Sequence, residues 1–328
     1  MPPSALLRMQ SAARAQAIHS CYLAAELLEI LKRFRDAGIP ALALKGPVLA
    51  MLAYGSPSDR DFCDIDILVR PDNLERAGLL LHDSGYRTDT KTCPSQGCPA
   101  SGCNHDVFIH DERGIVIELH WRLTLDCDRI PLEGTDVWSR AQVVSVLNQP
   151  VATLSTEDTL VFLCVHGSKH CWSRLKWRAD IAQLVNSAKE IDWKALILRS
   201  KRIGCRRMLV VSIGVAARLF GSALPPAIAA LVRVDPVAQS LIQQIVSDLT
   251  LRAKFSDPKE TTRHLRMRER FGDQFLLFMR LLRRICRLTS EDGLPQNHTA
   301  VQFLAAVCAR PIRLYRKYGF GWAKPLFP

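Results

Sequence analysis

The sequence predicts an α+β chain: an N-terminal mixed β-sheet flanked by helices, followed by an all-helical C-terminal domain. Three observations lead there. Short apolar runs bounded by turn formers recur up to about residue 121 and read as strands. Segments with apolar residues at helical spacing precede and separate them. From Thr156 onward the strand signals fade and helical patterns take over. Pro150 sits between the two halves, so the expected domains are 1–150 and 151–328.

Composition supports this division. A chain of 328 residues can bury two sizeable cores. With 48% hydrophobic and 23% charged residues it is an ordinary globular composition, which excludes disorder on a large scale. The formal charge of +12 implies attraction to polyanions, whether nucleotides, nucleic acid or an acidic surface, without choosing among them. Eleven cysteines are too scattered for a disulfide scaffold. No signal peptide is visible, and the most apolar run, 208–217, is far below the roughly 20 residues of a membrane span. A reduced, cytoplasmic protein is expected.

Taken in order, a helix is predicted over 16–36, where Leu23, Leu27, Leu28, Leu31 and Phe34 recur at helical spacing. Gly38 and Pro40 stop it. A short strand at 41–44 leads into the turn Lys45-Gly46-Pro47, and Pro47 suits the first turn of a helix running to Tyr54. After a loop at 55–59 comes a strand at 65–69, then a helix over 72–83 ended by Gly85. The stretch 91–104 is irregular and carries Cys93, Cys98 and Cys103, with His105 just after. Its spacing invites a zinc site, but four residues separate successive cysteines rather than the usual tight knuckle, which favours a surface loop. A β-hairpin is predicted from 107–110 and 115–121. Helices are expected over 156–170, 177–189, 193–203, 205–219, 225–232, 237–255, 261–288 and 299–317.

The chemistry concentrates on two of these strands. Residues two apart on a strand share a face, so Asp64 and Asp66 point together while Ile65, Ile67 and Val69 pack on the other side. Two neighbouring carboxylates repel each other and are costly to bury bare; a divalent cation removes that cost, and hard oxygen ligands suit Mg²⁺. Glu118 shares a face with Val116 and His120 in an otherwise apolar strand. It reads either as an edge carboxylate facing water or as the third metal ligand. The start of the helix after Lys45-Gly46, with the lysine itself, can receive phosphate oxygens.

The order Lys45-Gly46, then Asp64 and Asp66, then Glu118 resembles the nucleotidyltransferase superfamily related to DNA polymerase β. More narrowly, the chain resembles the bacterial family described as uncharacterised nucleotidyltransferases. The resemblance is carried by Leu44-Lys45-Gly46, by Arg60 ahead of Asp64-Ile65-Asp66-Ile67-Leu68-Val69, and by Glu118-Leu119-His120-Trp121. It continues in His166-Gly167-Ser168-Lys169-His170-Cys171-Trp172 and in the tail Arg310-Pro311-Ile312-Arg313-Leu314. It implies a nucleotidyltransferase-fold domain in which Asp64, Asp66 and Glu118 hold Mg²⁺ or Mn²⁺. The implied reaction moves a nucleoside monophosphate from an NTP, expected to be ATP, to an unidentified hydroxyl or phosphate acceptor on a small molecule, peptide or protein. Lys45, Gly46 and Arg60 would meet phosphate charge, with His120 beside the metal ligands. Lys45-Gly46-Pro47 departs from the superfamily's Gly-Ser or Gly-Gly turn, losing a hydroxyl and a backbone N–H; Tyr54 or Ser56 could compensate.

His166 and His170, four apart on a helix, could ligate zinc, but a helical zinc protease needs Glu where Gly167 stands. They read as packed histidines or as groups reaching the acceptor or phosphates. Asp180, near Arg174 and Lys176, reads as a solvated ion pair. Arg263, Arg266, Arg268, Arg270, Arg280, Arg283, Arg284 and Arg287 crowd the last third and read first as a solvent-facing helix. Two alternatives to catalysis stand beside it: an antitoxin-like regulatory module on the same fold, or nucleic-acid binding through these arginines.

Overall fold

The structure, a computed structural model, describes residues 3–89, 103–124, 130–132, 136–188, 190–250 and 257–286. The chain forms two compact units. One comprises Met1–Leu163 with Ala179–Arg199; the other comprises Cys164–Arg178 and the chain from Ser200.

The first unit is built on a mixed sheet. Its strands are β1 (Ala41–Ala43), β2 (Ile65–Val69), β3 (Arg87–Thr88), β4 (His105–His110), β5 (Ile115–His120), β6 (Gln142–Val146) and β7 (Gln149–Thr153). Among the described residues they lie in the order β3-β4-β5-β2-β1-β7-β6. β2 runs antiparallel to β1 and parallel to β5, and β4 and β5 form the predicted hairpin. Helices α1 (Pro3–Asp36), α2 (Gly46–Tyr54) and α3 (Leu74–Asp83) complete its N-terminal part. The strand faces expected to be apolar supply the core. Ile65, Ile67 and Val69 of β2 join Ile115, Ile117 and Leu119 of β5 in one buried cluster with Leu23, Leu27, Ile30 and Phe34 of α1 and Leu81 of α3. Each such side chain contributes about 1.5–3 kcal/mol by leaving water, so the register of β2 against β5 is fixed by its apolar face.

Two features extend the predicted pattern. Helix α1 begins at Pro3 rather than near residue 16. Its first half is mostly exposed and rich in Ala, Arg, Gln and Met, strong helix formers with no apolar stripe to betray them. The second feature is the β6–β7 hairpin, which extends the sheet to Thr153. Leu147 and Asn148 turn it with φ of 47° and 63°, the left-handed pair that a two-residue hairpin loop demands. Pro150 is tolerated in β7 because β1 pairs with that strand only at Ala43↔Thr153, so the missing N–H is not needed.

After β7 the described chain is helical. α4 (Thr156–Lys169), α5 (Leu175–Ser187) and α6 (Trp193–Ile203) each pass from one unit to the other; α7 (Arg206–Phe220), α8 (Pro226–Val234), α9 (Pro236–Thr250), α10 (Asp257–Met267) and α11 (Phe271–Cys286) belong to the second. The helix expected over 261–288 is broken between α10 and α11. There the Arg207 guanidinium donates to the carbonyls of Arg266 and Arg268, while Glu269 accepts from Arg206 and from the Arg207 backbone N–H. Capping α7 in this way captures carbonyls that a continuous helix would need. Arg263 and Arg268 are buried, and Arg263 pairs with Asp248, so this part of the arginine run is not a solvent-facing stripe. Gly167 has a packing reason: a Cβ there would lie 2.6 Å from the indole nitrogen of the fully buried Trp172. Among the described residues no helix is long and apolar enough to cross a membrane. Cys93, Cys98, the segment 299–317 and the tail motif lie outside the described residues.

Candidate active site

The face of the sheet opposite the apolar cluster carries the charged residues. In the β2–β5 ladder Asp66 stands beside Glu118 and Leu68 beside His120. Residues paired across neighbouring strands point to the same side, so the two carboxylates emerge together. Asp64 precedes β2 by one residue and is half-buried. On the far side of β5, His105 of β4 is paired with His120. Three adjacent strands thus bring Asp66, Glu118, His120 and His105 into one row.

The turn predicted to meet phosphate lies beside them. The Leu44 N–H donates to the Asp66 carbonyl at 3.0 Å, which holds the end of β1 against β2. Gly46 has φ of 54°, a conformation glycine enters at little cost, and a Cβ there would sit 3.5 Å from the Asp64 carbonyl oxygen. Helix α2 therefore starts against the backbone of Asp64. Lys45 reaches over this junction, and its ammonium donates to Asp66 Oδ1 at 2.8 Å and lies 5.4 Å above the Phe162 ring.

The electrostatics reflect this crowding. His120 Nε2 is 3.2 Å from Asp66 Oδ1 and 3.3 Å from Glu118 Oε2. Carboxylates only accept, so that nitrogen carries a proton. Burial opposes charge on His120, but the two carboxylates outweigh it and raise its pKa. Burial likewise opposes the Lys45 ammonium, and Asp66, Glu118 and Asp64 hold its proton on. Asp66 is pushed up by burial and pulled down further by Lys45 and His120, and remains ionised well below the usual carboxylate range. Glu118 is also lowered: burial raises it, and the His120 hydrogen bond leads the effects that bring it down. Unlike His120, His105 is lowered, to about 4, through burial and the neighbouring His120 charge.

A divalent ion suits this donor set. Asp66 Oδ2 is buried with no hydrogen-bond partner, a lone pair that an ion would satisfy. Among the described residues, His105, Glu118 and His120 each place a ligand atom within 4.8 Å of the other two. This trio differs from the three acids expected from the sequence and shares Glu118 with them, while Asp66 is engaged by Lys45 and His120.

Arg60 and Asp180 depart most from expectation. Asp180 is fully buried rather than solvated, and the Arg60 guanidinium grips it through Nε and Nη2 at 2.8 and 2.9 Å. The Tyr54 hydroxyl donates to the same carboxylate at 3.0 Å. Two of Arg60's three nitrogens are therefore committed within the fold, leaving buried Nη1 without a hydrogen-bond partner. His166 and His170 lie in the second unit, where each ring centres 5.1 Å from Trp177 and 4.9 Å from the other. Sequence reasoning paired His105 only with the cysteines. The signal for its place was the alternation of His105, Val107 and Ile109, which starts the strand two residues earlier than predicted.

A family described as "Uncharacterised nucleotidyltransferase" matches residues 1–221 of the chain. The chain belongs to this family. It is therefore an enzyme of the nucleotidyltransferase class, and the acidic row lies within the matched region. None of the curated proteins matches the chain. Three solved structures do. Lincosamide antibiotic adenylyltransferase LnuA, with lincomycin bound, is 20% identical with a TM-score of 0.37, covering 50% of this chain and 97% of its own. The antibiotic-resistance factor ANT(2'')-Ia is 10% identical with a TM-score of 0.33 (70% and 92% covered). An antigenic nucleotidyltransferase-like protein from Paracoccidioides brasiliensis is 16% identical with a TM-score of 0.32 (70% and 92% covered). At those scores the resemblances decide nothing about the reaction of this chain.

Proposed function

We propose that this nucleotidyltransferase moves a nucleoside monophosphate from an NTP, with ATP the first candidate, to a hydroxyl or phosphate group on a small molecule, peptide or protein. The observation that carries this reading is the pairing of Asp66 with Glu118 across two parallel strands, with Asp64 two residues before Asp66. These acids would hold Mg²⁺ or Mn²⁺, which supplies positive charge to the attacking and leaving oxygens of an in-line displacement.

The protein's own groups then divide the work. The acceptor oxygen bonds to the α-phosphorus while the bond from that phosphorus to the bridging oxygen breaks, and pyrophosphate leaves with the electron pair. Glu118, half-buried on the middle strand of the row, accepts the acceptor's proton. Lys45 exchanges Asp66 for a phosphate oxygen, and the start of α2 at Gly46 offers backbone N–H groups to the same chain of phosphates. His120 orients Asp66 and Glu118 through its bifurcated proton. Arg60 contributes positive charge from its Asp180 anchor through Nη1, whereas His166 and His170 carry no step.

The test is incubation of the protein with α-labelled NTPs, Mg²⁺ and a cell extract, with pyrophosphate release measured alongside. Label should pass to an extract component with wild-type protein and be lost with Asp66→Asn of unchanged circular dichroism. Equal labelling by the two proteins would sink the assignment.

A further inference from the structure

Beyond the acids, the geometry points to a second kind of ion chemistry: we infer that His105, Glu118 and His120 form a nitrogen-containing site for a borderline divalent transition metal of the Zn²⁺ or Co²⁺ type. The inference shares Glu118 and His120 with the proposed nucleotide site, His120 giving up its orienting proton to the ion, but does not depend on nucleotidyl transfer.

The argument begins with ligand atoms. The three side chains converge within 4.8 Å, and His120 Nε2 and Glu118 Oε2 are 3.3 Å apart. That is about the spacing two ligands keep when each is roughly 2.0–2.2 Å from one tetrahedral ion. Imidazole nitrogen suits Zn²⁺, Co²⁺ and related ions, whereas Mg²⁺ is served by oxygen. Two histidines and one carboxylate also leave a position open on a four-coordinate ion, as in sites that bind a reacting oxygen.

The surroundings orient His105 as a metal site requires, whereas His120 Nδ1 is buried with no hydrogen-bond partner. His105 Nδ1 lies 3.2 Å from Asn104 Oδ1; an amide oxygen only accepts, so Nδ1 carries the proton and Nε2 keeps its lone pair. The Asn104 amide is itself held by its bond to the Arg122 carbonyl at 3.2 Å, which fixes which end faces His105. Asn104 is buried, so this is a built hydrogen-bond chain and not a surface accident. On the other ligand, the proton that His120 Nε2 shares with Asp66 and Glu118 stands where an ion would sit. Binding displaces that proton to solvent, and Asp66 retains the Lys45 ammonium. The same ammonium opposes the incoming ion, so Lys45 limits affinity.

The test uses the full chain, stripped with chelator and titrated with Zn²⁺, Co²⁺ and Mg²⁺ separately, with no nucleotide present. Zn²⁺ and Co²⁺ should bind one per chain and Mg²⁺ far more weakly. His105→Ala should weaken Zn²⁺ by more than tenfold, Asn104→Ala by about tenfold, and Lys45→Met should tighten it. The Co²⁺ form of the wild-type protein should show nitrogen coupling from imidazole in pulsed electron paramagnetic resonance, a readout that needs no variant to fold. Absence of that coupling overturns the inference. So does intense thiolate-to-Co²⁺ absorption that persists in His105→Ala, which would place the ion on cysteines. Failure here leaves the Mg²⁺-dependent reading standing, and failure of NTP labelling leaves imidazole ligation standing.

Discussion

Two buried ionic groups in the first unit are made of the same kinds of side chain and arranged to opposite effect. In one, Arg60 meets Asp180 through two parallel hydrogen bonds, Tyr54 adds a third, and the carboxylate is saturated. In the other, the carboxylates of Asp64, Asp66 and Glu118 face the cations Lys45 and His120, and one oxygen of Asp66 is left without a donor. The closed carboxylate accepts three hydrogen bonds, and what the pair leaves unused is a donor, Arg60 Nη1, rather than an acceptor for a cation. The open group has excess negative charge and an unused lone pair, which is the signature of a site that binds something. Burial alone does not distinguish them; how completely the carboxylate oxygens are paired does.

The largest effect that would break this contrast concerns the closed pair. Asp180→Ala strands a buried guanidinium and should lower stability by about 3–5 kcal/mol, measured by denaturant unfolding. A loss below 1 kcal/mol would mean the pair is not the tie described. Asp66→Asn should show the reverse pattern, with activity falling on the order of 10³-fold. Its stability should change less than in Asp180→Ala, because Glu118 and Asp64 remain to neutralise Lys45 and His120. Comparable unfolding midpoints for the two variants would erase the distinction.

A smaller effect comes from ligand. NTP with Mg²⁺ at about a hundred times its dissociation constant should stabilise the wild-type protein by about 2.7 kcal/mol, visible as a raised melting temperature. An interaction module of the same fold would not respond. A separate, pH-dependent effect concerns His264 of α10, buried among cations rather than carboxylates. Burial first, then Arg268, His170 and Arg263, pull its pKa down to about 3. The unfolded chain takes up this proton near 6.5 while the folded protein resists it until about 3. Its contribution is therefore complete above pH 6.5 and is lost as pH falls towards 3. Chemical denaturation between pH 7.5 and 4 should show a shallower decline in His264→Gln.

The sequence revealed what local periodicity can carry. Alternation along 65–69 and 115–120 was enough to part Asp66, and separately Glu118, from the isoleucines of its own strand; that the two strands are neighbours, with the acids side by side, comes from the ladder. Glycine and proline marked the start of α2. What stayed hidden depends on partners distant in the chain. Asp180 lies 120 residues from Arg60, and beside Arg174 and Lys176 it looks like any surface acid. The break at 268–270 is produced by arginines of α7, which no helical pattern within 261–288 records. His105 was obscured by its cysteine neighbours, and β7 by a proline whose tolerance depends on where β1 stops.

The strand bearing Asp66 is fourth of seven and is paired on both sides. Its amides can exchange with deuterium only through large-scale opening, so they should be among the slowest in the molecule. The acids are thereby set on the least deformable beam of the fold. The charge constellation should therefore stay put while the rest of the chain fluctuates around it.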